Sequence, residues 1–180
     1  MNIHSKGFTL IELLVAVFVM SIAIGFTIPA FKKILDKSHT TSASNDILMV
    51  MHHARAQALR TRTPVVVCPT INGESCSGSN WSKTISGLDK NRDGNLNGSE
   101  TILKYVQLSD RIKTSTLGEE RIIFLPDGTA RMGDMSDEGI DDPDAIAVCA
   151  IHSKDFANVI RVGFSSAQTE IVKGDSDLCS

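Results

Sequence analysis

Apolar positions along the first third of the chain are at first continuous and then become periodic. From Leu13 to Phe31 no charged residue interrupts the run, which is long enough to cross a bilayer as a helix. Further on, Ile47, Val50, Met51, Ala54 and Ala58 recur at helical spacing, with Arg55, Gln57 and Arg60 on other faces. Pro64 ends that element. A helix from Phe8 to Arg62 would be about 80 Å long at ~1.5 Å per residue. Pro29, with Gly25 four residues earlier, predicts a kink. The polar segment SHTTSASND, residues 38–46, has low helix propensity and predicts a break or frayed turn.

After Pro64 the period changes from helix to strand. PVVVC, ETILKYVQL, ERIIFLPDGTA, DAIAVCAI and NVIRVGFSS are short apolar or β-branched segments. Asn72-Gly73, Pro126-Asp127-Gly128 and clusters of Asp, Ser and Gly punctuate them. They predict an antiparallel β head with at least five strands. The fold class is therefore α+β, a long N-terminal α-helix packed on an antiparallel β head domain. Its parts are a transmembrane helix over 8–31, an amphipathic continuation over 32–63 and a β-rich head over 64–180.

Charge is divided along the same line. Residues 1–63 hold seven Lys/Arg against three Asp/Glu, giving +4, while residues 64–180 hold eleven against eighteen, giving -7. An acidic head argues against a dominant phosphate-binding surface, and so against a nucleic-acid partner.

One acid, Glu12, stands near the start of the apolar run. A lone carboxylate in hydrocarbon calls for a partner, unless it snorkels to the interface. A secretory signal peptide would place its cleavage site after the apolar core. Here the only processing signal, Lys6-Gly7 followed by Phe8, precedes it.

Gly7-Phe8-Thr9-Leu10-Ile11-Glu12 resembles the processing and N-methylation motif of type IV prepilins and type II secretion pseudopilins. The resemblance implies that a prepilin peptidase cleaves between Gly7 and Phe8, removing residues 1–7 as a leader, and that the new Phe8 amine is methylated. Glu12 then stands fifth in the mature chain, at the family's acidic position, and Pro29 matches its mid-helix proline. The new amine, on the same chain or a neighbour, would pair with Glu12 and select subunit register. ARAQALRTRTPVVV (54–67) and IIFLPDGTA (122–130) are similar to the minor pilin and pseudopilin group of FimU, FimT and GspH. That resemblance places the chain in the bacterial inner membrane as a single-pass protein with its head outside the cytoplasm, and then in a pilus or pseudopilus.

All four cysteines, Cys68, Cys76, Cys149 and Cys179, lie in the head. In an oxidising compartment disulfides are expected, and three pairings are open. Cys68–Cys76, closing a short loop, and Cys149–Cys179, tying the C-terminal tail to a strand, are the favoured ones. No Cys-x-x-Cys or nearby histidine pair supports zinc. His52 and His53 are adjacent and point about 100° apart on a helix, so they are read as surface or boundary residues.

DKNRDGNLNGSE, residues 89–100, has the spacing of an EF-hand-type calcium loop. Asp89, Asn91, Asp93, Asn95, Asn97 and Glu100 take the ligand positions, Gly94 the sharp turn and Leu96 the apolar place. The flanks do not signal two helices, and an Asp/Asn/Gly-rich hairpin connection is the competing reading. Calcium is the one cofactor the sequence suggests.

No nucleophile motif or phosphate-cradling loop stands out, so the chain is read as non-enzymatic. Three functions follow from the resemblance. The first is a minor pilin that helps to initiate or cap a type IV pilus. The second is a minor pseudopilin of a type II secretion system, and the third a DNA-receptor pilin. Relatives of the third kind carry a C-terminal Gly-Arg-x-Arg strand, whereas VGFSSAQTEIVKGD (162–175) has no arginine. The implied partners are other minor and major pilins or pseudopilins, the prepilin peptidase and an inner-membrane assembly platform.

Overall fold

The computed structural model describes residues 8–117, 121–133, 145–151, 153–162 and 169–174. Within these, the side chains of 23–30, 117, 132, 145, 153–156 and 169–174 are not described. The described residues form one helix, α1 (Leu10–Thr61), and nine strands. These are β1 (Val65–Pro69), β2 (Lys83–Leu88), β3 (Thr101–Gln107), β4 (Ile112–Leu117), β5 (Ile122–Phe124), β6 (Ala130–Met132), β7 (Ala145–Ala150), β8 (Ser153–Val162) and β9 (Thr169–Gly174). The chain divides into two units, Met1–Leu35 and Asp36–Ser180.

In the first unit, Thr9 starts the helix. Its Oγ1 accepts the amide of Glu12 at 3.4 Å, which satisfies one of the donors that a helix start leaves without an intrahelical partner. Glu12 therefore lies in the first turn, where the helix dipole favours a negative charge. Leu10, Ile11, Leu13, Leu14, Val17 and Phe18 are each more than half exposed, as expected of a helix that is apolar all round. Among the described residues no helix is long and apolar enough to cross a membrane; the side chains of 23–30, in the middle of the expected span, lie outside that set. The backbone stays helical through Pro29.

In the second unit, α1 continues without the break expected over residues 38–46. Local propensity loses here to tertiary burial. Thr40, Ala43 and Ser44 are buried, and their small size suits close packing. The hydroxyls do not compete with the helix. Thr40 Oγ1 donates to the Asp36 carbonyl at 2.9 Å and Ser44 Oγ to the Thr40 carbonyl at 2.8 Å. Ser44 Oγ also accepts from Asn158 Nδ2 on β8 at 3.1 Å, tying helix to sheet.

The strands make two antiparallel sheets, β3-β2-β1-β5-β6 and β4-β7-β8-β9. One core joins them to the helix. Ile47, Val50, Met51, Ala54 and Ala58 pack with Val65, Val67, Ile122 and Phe124 of the first sheet and with Ile146, Val148 and Ile160 of the second. The helical stripe read from the sequence is thus the helix face of the core. The alternate residues of β1 and β5, Val66, Cys68 and Ile123, face the other way and form a second cluster with Ile85 and Leu96. This outer face of the first sheet is covered by loops, which is why β1 reads as an unbroken apolar run. Strands β2, β4 and β9 were not among the expected segments, because KTISGL, IKTSTL and TEIVKG mix polar and small residues into their alternation.

Candidate functional site

The outer loops converge beside the second cluster. Residues 89–100 connect β2 to β3 as a hairpin, with Leu88 paired to Thr101 across the strands. The loop therefore stands between strands and not between helices, and the turn chemistry of Asp, Asn and Gly builds it. Asp89 is fully buried and its two oxygens accept from the Asp93 amide at 3.2 Å and the Gly94 amide at 2.9 Å. Gly94 has a φ of 73°, and Arg92, a non-glycine residue, has a φ of 60°. The chain thus curls around the Asp89 carboxylate.

Leu96 anchors the loop by burial. It packs in the cluster of Val66, Cys68, Ile85 and Ile123, and it lies over Gly87, where an added Cβ would come within 2.9 Å of Leu96 Cδ2. The backbone irregularity at Ser86/Gly87 sits at the same place. The second loop is closed by the Cys68–Cys76 disulfide, one of the two expected pairings. The Cys76 amide donates to the Leu96 carbonyl at 3.0 Å, so the disulfide loop and the 89–100 loop brace each other. Cys149 is also disulfide-bonded, while its expected partner Cys179 lies outside the described residues.

Of the six candidate ligands, the fold brings three carboxylates together. One oxygen from each of Asp89, Asp93 and Glu100 falls within a 4.8 Å cluster. Glu100 closes the loop, its Oε1 accepting from the Lys90 amide at 2.9 Å and its Oε2 from the Asn97 amide at 3.3 Å. Asn91 Nδ2 donates to Asp93 Oδ2 at 2.7 Å. Asn95 and Asn97 turn their side-chain oxygens to the backbone, on the Leu96 amide at 3.0 Å and the Ser99 amide at 3.2 Å. The Asp89 carboxyl is pushed above its usual range by burial, with the Glu100 charge adding to the effect and the loop amides opposing it. A hard cation among these oxygens would reverse that penalty.

The other sequence-singled residues do not gather at this site. Phe8 and Glu12 belong to the first unit, Gly7 lies outside the described residues and so does the side chain of Pro29. His52 is exposed and His53 half-buried, its Nε2 3.3 Å from Gln57 Nε2, as boundary residues should be. Sequence reasoning missed Arg121 as a loop-bracing residue: its Nη1 donates to the Gly94 carbonyl at 3.3 Å. No local motif announces it.

The family described as Type II transport protein GspH matches residues 43–162. The Prokaryotic N-terminal methylation motif matches residues 3–28. By structure the chain is similar to the type IV minor pilin FimU of Pseudomonas aeruginosa in two crystal forms. One gives a TM-score of 0.52 at 14% identity, covering 76% of this chain and 94% of that one. The other gives 0.55 at 13% identity, covering 80% and 94%. At such identity the likeness concerns the fold. No curated protein matches the chain by sequence.

The raised Asp89 value sets a pH dependence. Its share of stability is complete below the unfolded value of 3.8 and is lost as pH rises through the higher folded value, because the buried carboxyl then ionises without a cation. In chelator-treated protein, denaturant unfolding at stepped pH should show the wild type losing stability relative to Asp89→Asn over that interval. A difference that stays constant with pH would contradict the assignment.

Proposed function

Because the chain belongs to the family of Type II transport protein GspH, we propose that it is a minor pilin that helps to initiate or cap a type IV pilus. A minor pilin or pseudopilin role follows from the family, and both family and fold are those of structural subunits. The methylation motif over residues 3–28 is the observation that carries the reading. It implies processing by a prepilin peptidase, anchoring in the inner membrane and assembly with other pilins. The choice of the pilus rests on the fold shared with a type IV minor pilin. The family's description favours the second reading, a minor pseudopilin of a type II secretion system. Specific partners are part of the proposal: neighbouring minor and major subunits through the apolar helix, and the assembly platform of the inner membrane.

In this reading Glu12 has two tasks. It sits in the first turn of α1, and it meets the amine released at Phe8 when subunits pack. Glu12→Gln separates them, since glutamine fits a helix start but lacks the charge. Glu12→Ala and Glu12→Gln should both insert and fold, yet fall about tenfold in sheared filaments, roughly 1.4 kcal/mol. Normal incorporation of Glu12→Gln would mean the charge has no assembly role.

The 89–100 loop we read as a calcium site with Asp89, Asp93 and Glu100 as its carboxylate ligands. Asn91, Asn95 and Asn97 fill the remaining positions of the pattern by side chain, backbone carbonyl or bridging water. Calorimetric titration of the full chain in detergent should show calcium binding in the micromolar to millimolar range, about 10⁻⁵ to 10⁻³ M. Glu100→Gln should weaken it at least tenfold, roughly 1.4 kcal/mol. Absence of binding and of thermal stabilisation at saturating calcium would leave the loop a plain hairpin connection.

A further inference from the structure

Where the two outer loops meet, a cavity of about 260 Å³ opens on the outer side of the first sheet. The Cys68–Cys76 disulfide, Ser77, Gly78, Asn95 and Arg121 line it. Arg121, just before β5, is half-buried. A guanidinium carries five N–H donors, yet among the described residues its one side-chain hydrogen bond is to the Gly94 carbonyl at 3.3 Å. Among the described residues, none that lines the cavity is an acid. A partly desolvated cation facing a polar cavity is incomplete until an anion meets it.

Two neighbours narrow the anion. Ser77 Oγ accepts the Ile71 amide at 2.9 Å and keeps its own hydroxyl proton for a second acceptor. Ile71 itself is 72% exposed, and its Cδ1 packs against Gly78, 3.7 Å from where a Cβ would stand. The site thus has a cationic wall, a hydroxyl donor and an aliphatic rim. Asn95 belongs to a loop that also holds Asp89, Asp93 and Glu100, so a doubly charged phosphate would meet nearby repulsion. A single carboxylate fits the guanidinium's fork and carries half that charge, so it meets less of the repulsion, and the aliphatic rim suits an apolar residue beside it.

We propose that this cavity receives an aspartate or glutamate side chain, flanked by an apolar residue, from the head of a neighbouring filament subunit. The proposal rests on the filament-subunit reading and names a contact within it. Arg121 is then the anchor and Ile71 the hydrophobic contact. Apolar residues around the seated pair exclude water, which strengthens it.

The test uses the full chain in cells that assemble filaments, with a photo-crosslinking residue in place of Ile71. The expected result is a crosslink to another pilin subunit, whose crosslinked peptide contains Asp or Glu. Arg121→Gln should lower the yield per filament-incorporated chain at least tenfold and Arg121→Lys by less, while the Cys68–Cys76 disulfide still forms and loss of the Gly94 bond lowers the melting temperature only slightly and alike in both variants. Charge exchange between Arg121→Glu and an arginine at the mapped acid should restore the crosslink. A crosslinked peptide without an acid, an unchanged yield in Arg121→Gln, or no crosslink although the chain is present in filaments would each overturn the proposal. Absence of the wild-type chain from filaments would instead overturn the filament-subunit reading.

Discussion

Ile47, Val50, Met51, Ala54 and Ala58 are fully buried along one stripe of α1, and both sheets of the head pack onto that stripe. Each of the larger side chains contributes on the order of 1.5–3 kcal/mol by leaving water, and the alanines let the strands approach closely. Because the helix takes up the inner face of both sheets, the outer face of the first sheet must find another cover. Two loops supply it, one closed by Cys68–Cys76 and one anchored by Leu96. Their mutual bond, Cys76 amide to Leu96 carbonyl, makes the outer surface a single braced unit.

The division of labour follows from this arrangement. The inner face of the head is used up by folding, and in the proposed role recognition is left to the loops outside. Those loops carry three converging carboxylates, and the Arg121 guanidinium bonds to the Gly94 carbonyl of the same loop. The apolar start of α1 has the opposite character, exposing Leu10, Leu13, Phe18 and their neighbours, which suits lipid or other helices better than water. A family of filament subunits needs both surfaces, a generic one for packing and an individual one for position.

What could be read from the sequence was what depends on spacing. The period of Ile47 to Ala58 identified the buried helix face, the short loop between Cys68 and Cys76 favoured the pairing that is found, and the Asp/Asn/Gly content of 89–100 marked a hairpin connection. What failed depended on partners far along the chain. Residues 38–46 look like a helix break, because propensity cannot register that Ser44 will be buried and bonded to Asn158. Strands β2 and β4 bury hydroxyls that bond outside the strand ladder, Thr84 Oγ1 to the Trp81 carbonyl and Thr114 Oγ1 to Asn80 Oδ1, which alternation along the chain does not register. The side-chain oxygens of Asn95 and Asn97 bond to backbone amides, a preference that a ligand pattern does not encode. Arg121 has no motif at all, and only the fold places it against Gly94.

The filament-subunit role depends most directly on the chain's mature N-terminus. Mass spectrometry of the protein from a host with a prepilin peptidase should find a chain that begins at an N-methylated Phe8, having lost residues 1–7. In the same host without the peptidase, the leader should remain. An unmethylated chain beginning at Met1 in the presence of the peptidase would contradict the account.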